Sequence, residues 1–541
     1  MNSRGFRPVK KLRRRVKLMA TWLAMMSPLW VFIAARGGAA QTQSVLASCS
    51  VCHRPDERGR LSRIAAQRKT PEGWQTTVRR MVRLHSLSMS VDEAKAVVKY
   101  LSDHQGLAPA EVQPIAYVLE RRDIRERVPN QAVRVACVRC HSFARIAAQR
   151  RTPEEWRKLK TLHLAVFPTL VYQMRQVDWP ALADEAIEYL AKSFPFDREV
   201  WQRWRGDADI EGQWPMAGHQ AGRGDFFGDV EIKRVGTGQF TTRERLVFTD
   251  GQRIERTGNG LLYAGFAWRG SAESSDGQPI KEVWHLSEDG KMFTGRWFVA
   301  DRDQIGADVS LHRQTGAPLV LGLNPRSLRA PTAHRQVKIY GANFPPSLTA
   351  NEVELGPGVI IHRLEGPDGD ELMLTLDVQE NALPGPRDVR VGNAVGKAAL
   401  TIYKRIDYIK VQPELGLARV GGVKVPKQHQ QFEALAFDNG ADGISGTADD
   451  LALGPVEASW SIERYASDPT DDDVKFVGTI DQHGLFTPAD EGPNPARRKG
   501  DDNVGEVWVV ASYKPEDATG ALTARAKLIV TVPRFIDWEI R

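Results

Sequence analysis

The chain has only four cysteines, and they fall in two matching frames, Cys49-Ser50-Val51-Cys52-His53 and Cys137-Val138-Arg139-Cys140-His141. C-x-x-C-H is the attachment signature of c-type haem. Two thiols at this spacing add across the vinyl groups of one haem as thioethers, and the adjacent His is held beneath the iron as its proximal ligand. Cys49, Cys52, Cys137 and Cys140 are thus read as covalent haem c attachment points, and His53 and His141 as proximal iron ligands. A redox C-x-x-C and a zinc knuckle are the competing readings, and the duplicated frame favours haem. Because the two frames use every cysteine, none is left for a disulfide, a thiolate metal site or a nucleophile. The expected cofactors are two covalently bound haem c groups.

The elements that must hold these frames come from an internal repeat. Arg63-Ile64-Ala65-Ala66-Gln67-Arg68-Lys69-Thr70-Pro71-Glu72-Gly73-Trp74 recurs at an offset of 82 as Arg145-Ile146-Ala147-Ala148-Gln149-Arg150-Arg151-Thr152-Pro153-Glu154-Glu155-Trp156. The frames themselves are offset by 88, so the first copy has six extra residues after its His. Each Thr-Pro-Glu reads as a helix start, with Thr as N-cap, Pro at the first helical position and Glu at the positive end of the helix dipole. Later helices are expected to end in Tyr100-Leu101 and Tyr189-Leu190. Residues 41–200 therefore read as two small cytochrome c halves lying side by side.

The same repeat nominates the distal iron ligands. Met81 and His163 lie seven residues after Trp74 and Trp156, nearly two helical turns on, and so share a face with their Trp. This predicts His/Met ligation at the first iron and His/His at the second. A Met ligand raises the potential relative to His, so the pair would pass electrons in one direction. His85, one turn beyond Met81, and Met89, in the following loop, remain alternatives at the first iron, as Met174 does at the second.

Residues 1–40 read as a signal peptide. Eight Lys and Arg between Arg4 and Lys17 precede an apolar run from Leu18 to Ala35, and Gly38-Ala39-Ala40 offers small residues for cleavage before Gln41. The run is long for a signal peptide, so an uncleaved anchor is the competing reading. The segment carries nine cations and no acids, so its removal takes the formal +7 to about −2. Nucleic-acid binding loses its main support. The remaining charge is uneven, with 26 Lys and Arg against 18 Asp and Glu over 41–200. A basic domain suits haem propionates. Export and covalent haem together imply a bacterial periplasmic location, with no membrane contact after signal cleavage.

Beyond residue 200 the helical pattern gives way to a β pattern. Short alternating strands at Asp225–Ile232, Glu244–Phe248 and Thr294–Val299, punctuated by Gly and Asp turns, predict a β-barrel-like domain over 201–316. Trp214, Trp268, Trp284 and Trp297 would belong to its core, and no catalytic grouping stands out. Residues 317–403 and 404–541 each read as an immunoglobulin-like β-sandwich without a Cys pair. In the last, 438–450 places acids at positions one, five and twelve of a calcium-loop pattern, but position three is Gly and no flanking helices are evident. A plain acidic turn is the favoured reading. The fold class is multidomain α plus all-β.

Taken over essentially the whole mature chain, the paired C-x-x-C-H frames, the repeat and the three β modules resemble the alpha subunit of the quinohaemoprotein amine dehydrogenase family. The resemblance implies a heterotrimer with a β-propeller subunit and a small subunit bearing a cysteine tryptophylquinone. Primary amines would be oxidised to aldehyde and ammonia at that quinone. This chain would act as the electron-transfer and scaffold subunit of the oxidoreductase, passing electrons to a periplasmic acceptor such as a blue copper protein or a cytochrome c. No base, nucleophile or quinone precursor can be assigned here, so no catalytic residue is expected on this chain. A stand-alone dihaem electron carrier and a dihaem peroxidase-like enzyme are the alternatives.

Overall fold

The computed structural model describes residues 45–533 apart from 123, 205–207, 369, 423–424, 499–501 and 517. The expected signal peptide, 1–40, lies outside the described residues. Among those described, no helix is long and apolar enough to cross a membrane.

The first half of the α region holds the strand β1 (Gln67–Lys69), then helices α1 (Pro71–His85) and α2 (Val91–His104). The second half holds α3 (Gln131–Ala136), β2 (Gln149–Arg151), α4 (Pro153–Val166) and α5 (Trp179–Ser193). Both helix starts follow the chemistry of the repeat. Thr70 accepts from the Gly73 N–H and Thr152 from the Glu155 N–H, with Pro at the first turn of each helix. Trp74 and Trp156 are buried on the inner faces of α1 and α4.

The two halves are stitched together rather than merely adjacent. β1 pairs antiparallel with β2, with Gln67 opposite Arg151 and Lys69 opposite Gln149. The ladder continues on both sides, because Thr70 N–H donates to the Ala148 carbonyl and Thr152 N–H to the Ala66 carbonyl. Equivalent residues of the two repeats thus exchange equivalent bonds about a local two-fold.

Eight antiparallel strands then close into a barrel: β3 (Gly212–Gln220), β4 (Gly224–Gly236), β5 (Gln239–Phe248), β6 (Arg253–Tyr263), β7 (Ala267–Ser274), β8 (Pro279–Leu286), β9 (Met292–Val299) and β10 (Arg302–His312). Each pairs with the next, and β10 returns to β3. The period-2 pattern is clearest in β5, where every second residue from Phe240 to Phe248 is buried. Trp214, Trp268, Trp284 and Trp297 fill the interior, with Trp268 and Trp284 stacked at 5.6 Å. Amid these rings lies a polar group that alternation alone does not announce: Glu244, Arg256 and Glu282, all buried. Trp268 Nε1 donates to Glu282 at 2.8 Å, and Arg256 sits 3.4 Å from Glu244. Burial, and then the neighbouring Glu244, pushes the Glu282 carboxyl well above the ordinary carboxylate range.

The α region and the barrel share one continuous hydrophobic core that runs from Val133 and Trp156 to Trp214 and Phe293. Polar contacts lock the junction. Arg269 on β7 pairs with Glu72 at 2.6 Å, and Arg296 on β9 donates to the Glu120 and Arg121 carbonyls.

Downstream, the strands from Leu319 to Tyr403 form two four-stranded sheets about their own core. Those from Tyr408 to Thr531 form one four-stranded and two three-stranded sheets about another. In the acidic loop the carboxylates are taken up locally. Asp438 accepts from Lys404, Arg405 and Gly440 N–H, Asp449 from Ala441 and Asp442 N–H and the Thr447 hydroxyl, and Asp450 from the Tyr408 hydroxyl.

A histidine clasps the barrel to the last domain. His219 lies 2.6 Å from Asp225 through Nδ1 and 3.0 Å from Glu433 through Nε2. Burial alone would lower its pKa, but the two carboxylates outweigh burial and raise it to about 9. A shift of that size corresponds to roughly 3 kcal/mol. Since the folded value is raised, the contribution is full below the unfolded pKa of 6.5 and is lost as pH climbs through about 9. Thermal unfolding of the native protein should therefore weaken across that window, whereas Glu433→Gln should start lower and fall less. Parallel pH curves for the two proteins would remove the clasp from the stability account.

Candidate haem centres

The first frame begins in a helical turn, Ala47–Ser50, and closes with the His53 N–H donating to the Cys49 carbonyl. The His53 ring is oriented by its other nitrogen: Nδ1 lies 2.9 Å from the Ser62 carbonyl. A carbonyl can only accept, so Nδ1 carries the proton and Nε2 presents a lone pair, the arrangement an iron ligand requires. The six extra residues of the first copy include the turn that brings Ser62 back to this position, closed by Ser62 N–H on the Arg54 carbonyl. In the second frame His141 Nδ1 faces the Ser142 carbonyl at 3.3 Å.

All four thiols are unbridged, with Cys49 and Cys137 half-buried and Cys52 and Cys140 exposed. Burial raises the Cys49 pKa, and burial followed by Cys140 takes Cys137 to about 11. A raised thiol pKa does not suit a low-pKa redox pair.

The distal candidates fall differently in the two halves. His163 on α4 anchors Nδ1 on the Leu159 carbonyl at 2.8 Å, which leaves Nε2 free, and it stands among the charged groups that act on His141. Burial takes His141 down to about 4, with Arg145 and His163 lowering it further, so the imidazole is neutral and able to ligate. Met81, at the repeat position of His163, is half-buried on α1, while His85 is exposed at the end of that helix. His85 is also among the groups that act on His53, after burial, Ser62, Arg63 and Glu155. Met89 packs against the small core that also takes in Cys49. Met174 is buried against Cys137, with Arg139 3.7 Å from its sulfur.

The feature that motif reading passed over is the charge between the halves. The ladder residues Arg68, Lys69, Arg150 and Arg151 are all buried. Glu111 answers two of them, taking the two terminal Arg68 nitrogens, Nη1 and Nη2, at 2.7 and 2.8 Å and Arg150 Nε at 3.0 Å. Among the described residues no carboxylate bonds the other two. Lys69 Nζ reaches the Thr77 hydroxyl at 2.5 Å and lies over Trp74, and Arg151 Nε reaches the Gln149 amide at 2.8 Å and lies over Trp156. The side chain of Lys69 occupies the space beside Gly73, where an added Cβ would approach it to 2.9 Å. The second copy, with Arg at the Lys69 position, has Glu155 at the place of Gly73.

Burial pushes Lys69 well below its ordinary value and Arg151 down to about 9, and Arg80 and Arg63 lower Arg151 further. Glu155 is the acid that faces this group, bonded by Arg63, Gln67 and Lys158. Buried cations in excess of acids are costly unless an anion joins them. Trp156 Nε1 is likewise buried without a partner, whereas Trp74 Nε1 donates to the Gln105 carbonyl. Surplus cations and an orphaned donor beside two C-x-x-C-H frames suit haem propionates, so the residues present fit the group. The signal was in the sequence, as the basic run Gln-Arg-Lys/Arg of the repeat, but nothing local marks it as a buried ladder. A cleft of about 410 Å³ opens beside the second frame, between Val138 and Ser142 on one side and Asp303 and Gln428 on the other.

Comparison with known families covers nearly the whole chain. The family described as "Quinohemoprotein amine dehydrogenase A, alpha subunit, haem binding" matches residues 39–201. Domains II, III and IV of the same alpha subunit match 207–314, 317–404 and 409–540. No curated protein matches. Among solved structures, a de novo designed fluorescence-activating β-barrel is 19% identical and covers 19% of this chain and 94% of its own, with a TM-score of 0.17. Mouse clustered PcdhgC3 EC1-3 is 14% identical over 46% of this chain and 86% of its own, also at 0.17. At those scores neither likeness carries an argument.

Proposed function

The chain belongs to the family of quinohaemoprotein amine dehydrogenase alpha subunits, and from that membership we propose that it is the dihaem electron-transfer and scaffold subunit of a periplasmic amine dehydrogenase. The observation that carries the reading is the pair of unbridged C-x-x-C-H frames held on one two-fold ladder with surplus buried cations between them.

Each haem c, when bound, supplies a one-electron redox centre. The chain's own residues do the rest. Cys49 and Cys52 hold one group, and Cys137 and Cys140 the other. His53 and His141 present Nε2 to the irons, each with Nδ1 set against a backbone carbonyl. His163 is assigned as the distal ligand facing His141. Met81 is assigned to the first iron because it occupies the repeat position of His163. Lys69, Arg151 and the Trp156 N–H receive propionate charge, and the shared core with the barrel keeps water from the seam. The two β modules after the barrel are read as immunoglobulin-like sandwiches, which extend the surface available to partner subunits.

On this reading amine oxidation to aldehyde and ammonia takes place at a cysteine tryptophylquinone on a small partner subunit, beside a β-propeller subunit. The electrons leave to a blue copper protein or a cytochrome c. In the native complex, a primary amine added without oxygen should reduce both haems of this chain. The chain purified alone should be reduced by dithionite but not by amine. Amine-driven reduction of the isolated chain would put the chemistry here and overturn the division of labour.

A further inference from the structure

In the first sheet of the third domain, the strand Glu371–Val378 lies between Thr332–Ala342 and Val359–Asp368. Both neighbours lose register within a few residues of each other along the central strand. On one side Thr332 pairs with Val378 and Arg335 with Leu376, so Ala333 and His334 together oppose Asp377. On the other, Ile361 pairs with Leu376 and Arg363 with Thr375, so His362 is the extra residue. One β-bulge thus lies opposite the Asp377 carboxylate and the other one to two residues along the central strand, and each contributes a histidine.

A bulge gives up ladder hydrogen bonds and re-aims a side chain. Here the distortion is compounded, because His334 has φ +50°, a left-handed conformation that is strained for a non-glycine residue. The gain is convergence. The His334 backbone N–H donates to Asp377 Oδ1 at 2.7 Å, His362 Nε2 lies 2.9 Å from Asp377 Oδ2, and the two rings are 5.6 Å apart. One ligand atom from each of the three residues lies within 4.8 Å of the others. The His334 N–H, first among several causes, holds the Asp377 carboxyl below its ordinary value, so it is ionised at neutral pH.

We propose that His334, His362 and Asp377 form a binding site for a divalent first-row transition-metal ion, zinc in the test below, on the surface of the third domain. Two imidazole nitrogens and one carboxylate oxygen suit borderline ions, whereas calcium and magnesium take oxygen ligands. Zinc bonds of about 2.0–2.2 Å set ligand atoms roughly 3.3 Å apart, so the two rings would close from the observed spacing on binding. Both histidines are exposed, so the ion keeps open positions for water or for a donor group from another molecule. The site is independent of the haem frames and of the amine reaction.

The full haem-loaded protein, dialysed against zinc chloride and assayed for bound metal, should hold one zinc equivalent that His362→Ala weakens by about 10–100-fold and His334→Ala/His362→Ala abolishes. His362→Ala removes an exposed side chain, and an unchanged thermal midpoint without zinc shows that the domain is folded. Zinc should raise the thermal midpoint of the parent protein and leave that of the double variant in place. Equal zinc binding by parent and double variant, or no zinc retained by the parent, overturns the proposal.

Discussion

Replacing Cys49 and Cys52 with alanine should leave a chain that carries one haem instead of two. The two frames are 88 residues apart and share no thiol, so attachment at one needs nothing covalent from the other. The halves are joined by a backbone ladder, β1 on β2, that contains neither frame. The second half also has its own packing, with Ala136, Leu170, Met174 and Trp179 gathered around Cys137. Intact mass should therefore show loss of one of two haem increments, and the pyridine haemochrome absorbance per chain should fall by half. Cys137→Ala with Cys140→Ala should do the complementary damage. An unaltered haem count would remove covalent attachment at that frame.

The second large effect concerns the sixth ligands. His163→Ala should convert one low-spin iron to a form that binds cyanide rapidly, because His163 is the ring whose Nδ1 is tied to Leu159 and whose charge acts on His141. Met81→Ala should open the other iron and lower its potential by on the order of 0.1 V or more, since a thioether favours the ferrous state more than imidazole does. The weak sulfur-to-iron band in the far red should vanish with it. His85 is the specific rival, because it too acts on His53 from the end of α1. If the parent protein shows no such band and His85→Ala, not Met81→Ala, opens the first iron, α1 presents its last turn rather than its middle to the haem, and both irons have two histidine ligands.

The frames and helix starts were legible because their information is local. C-x-x-C-H is five residues long, and Thr70-Pro71-Glu72 and Thr152-Pro153-Glu154 carry their caps with them. Alternation likewise announced β strands inside β4, β5 and β9, since a half-buried strand writes its period into the sequence. Neither barrel closure nor the joining of the α region to it leaves such a trace. Those depend on pairings such as Ser310 with Ala217 and Arg269 with Glu72, far apart in the chain. The ladder cations were misleading for a different reason. Arg and Lys are almost never buried unless paired, and the acid that answers Arg68 is Glu111, 43 residues on. The histidines of the third domain depend on two neighbouring register shifts, which a single strand's sequence does not reveal.

On the dihaem reading, the ladder would also constrain how the two centres exchange an electron. Tunnelling between redox sites falls exponentially with the gap, so a rate that survives sequence drift needs a gap that side chains do not set. Here the two halves that carry the frames are joined by main-chain bonds, from Thr70 on Ala148 to Thr152 on Ala66, across a seam of a few residues. Substitution along β1 and β2 can alter driving force through charge, yet it leaves the tunnelling path nearly constant. Rate and potential are thereby separated, the one held by the backbone and the other open to adjustment residue by residue.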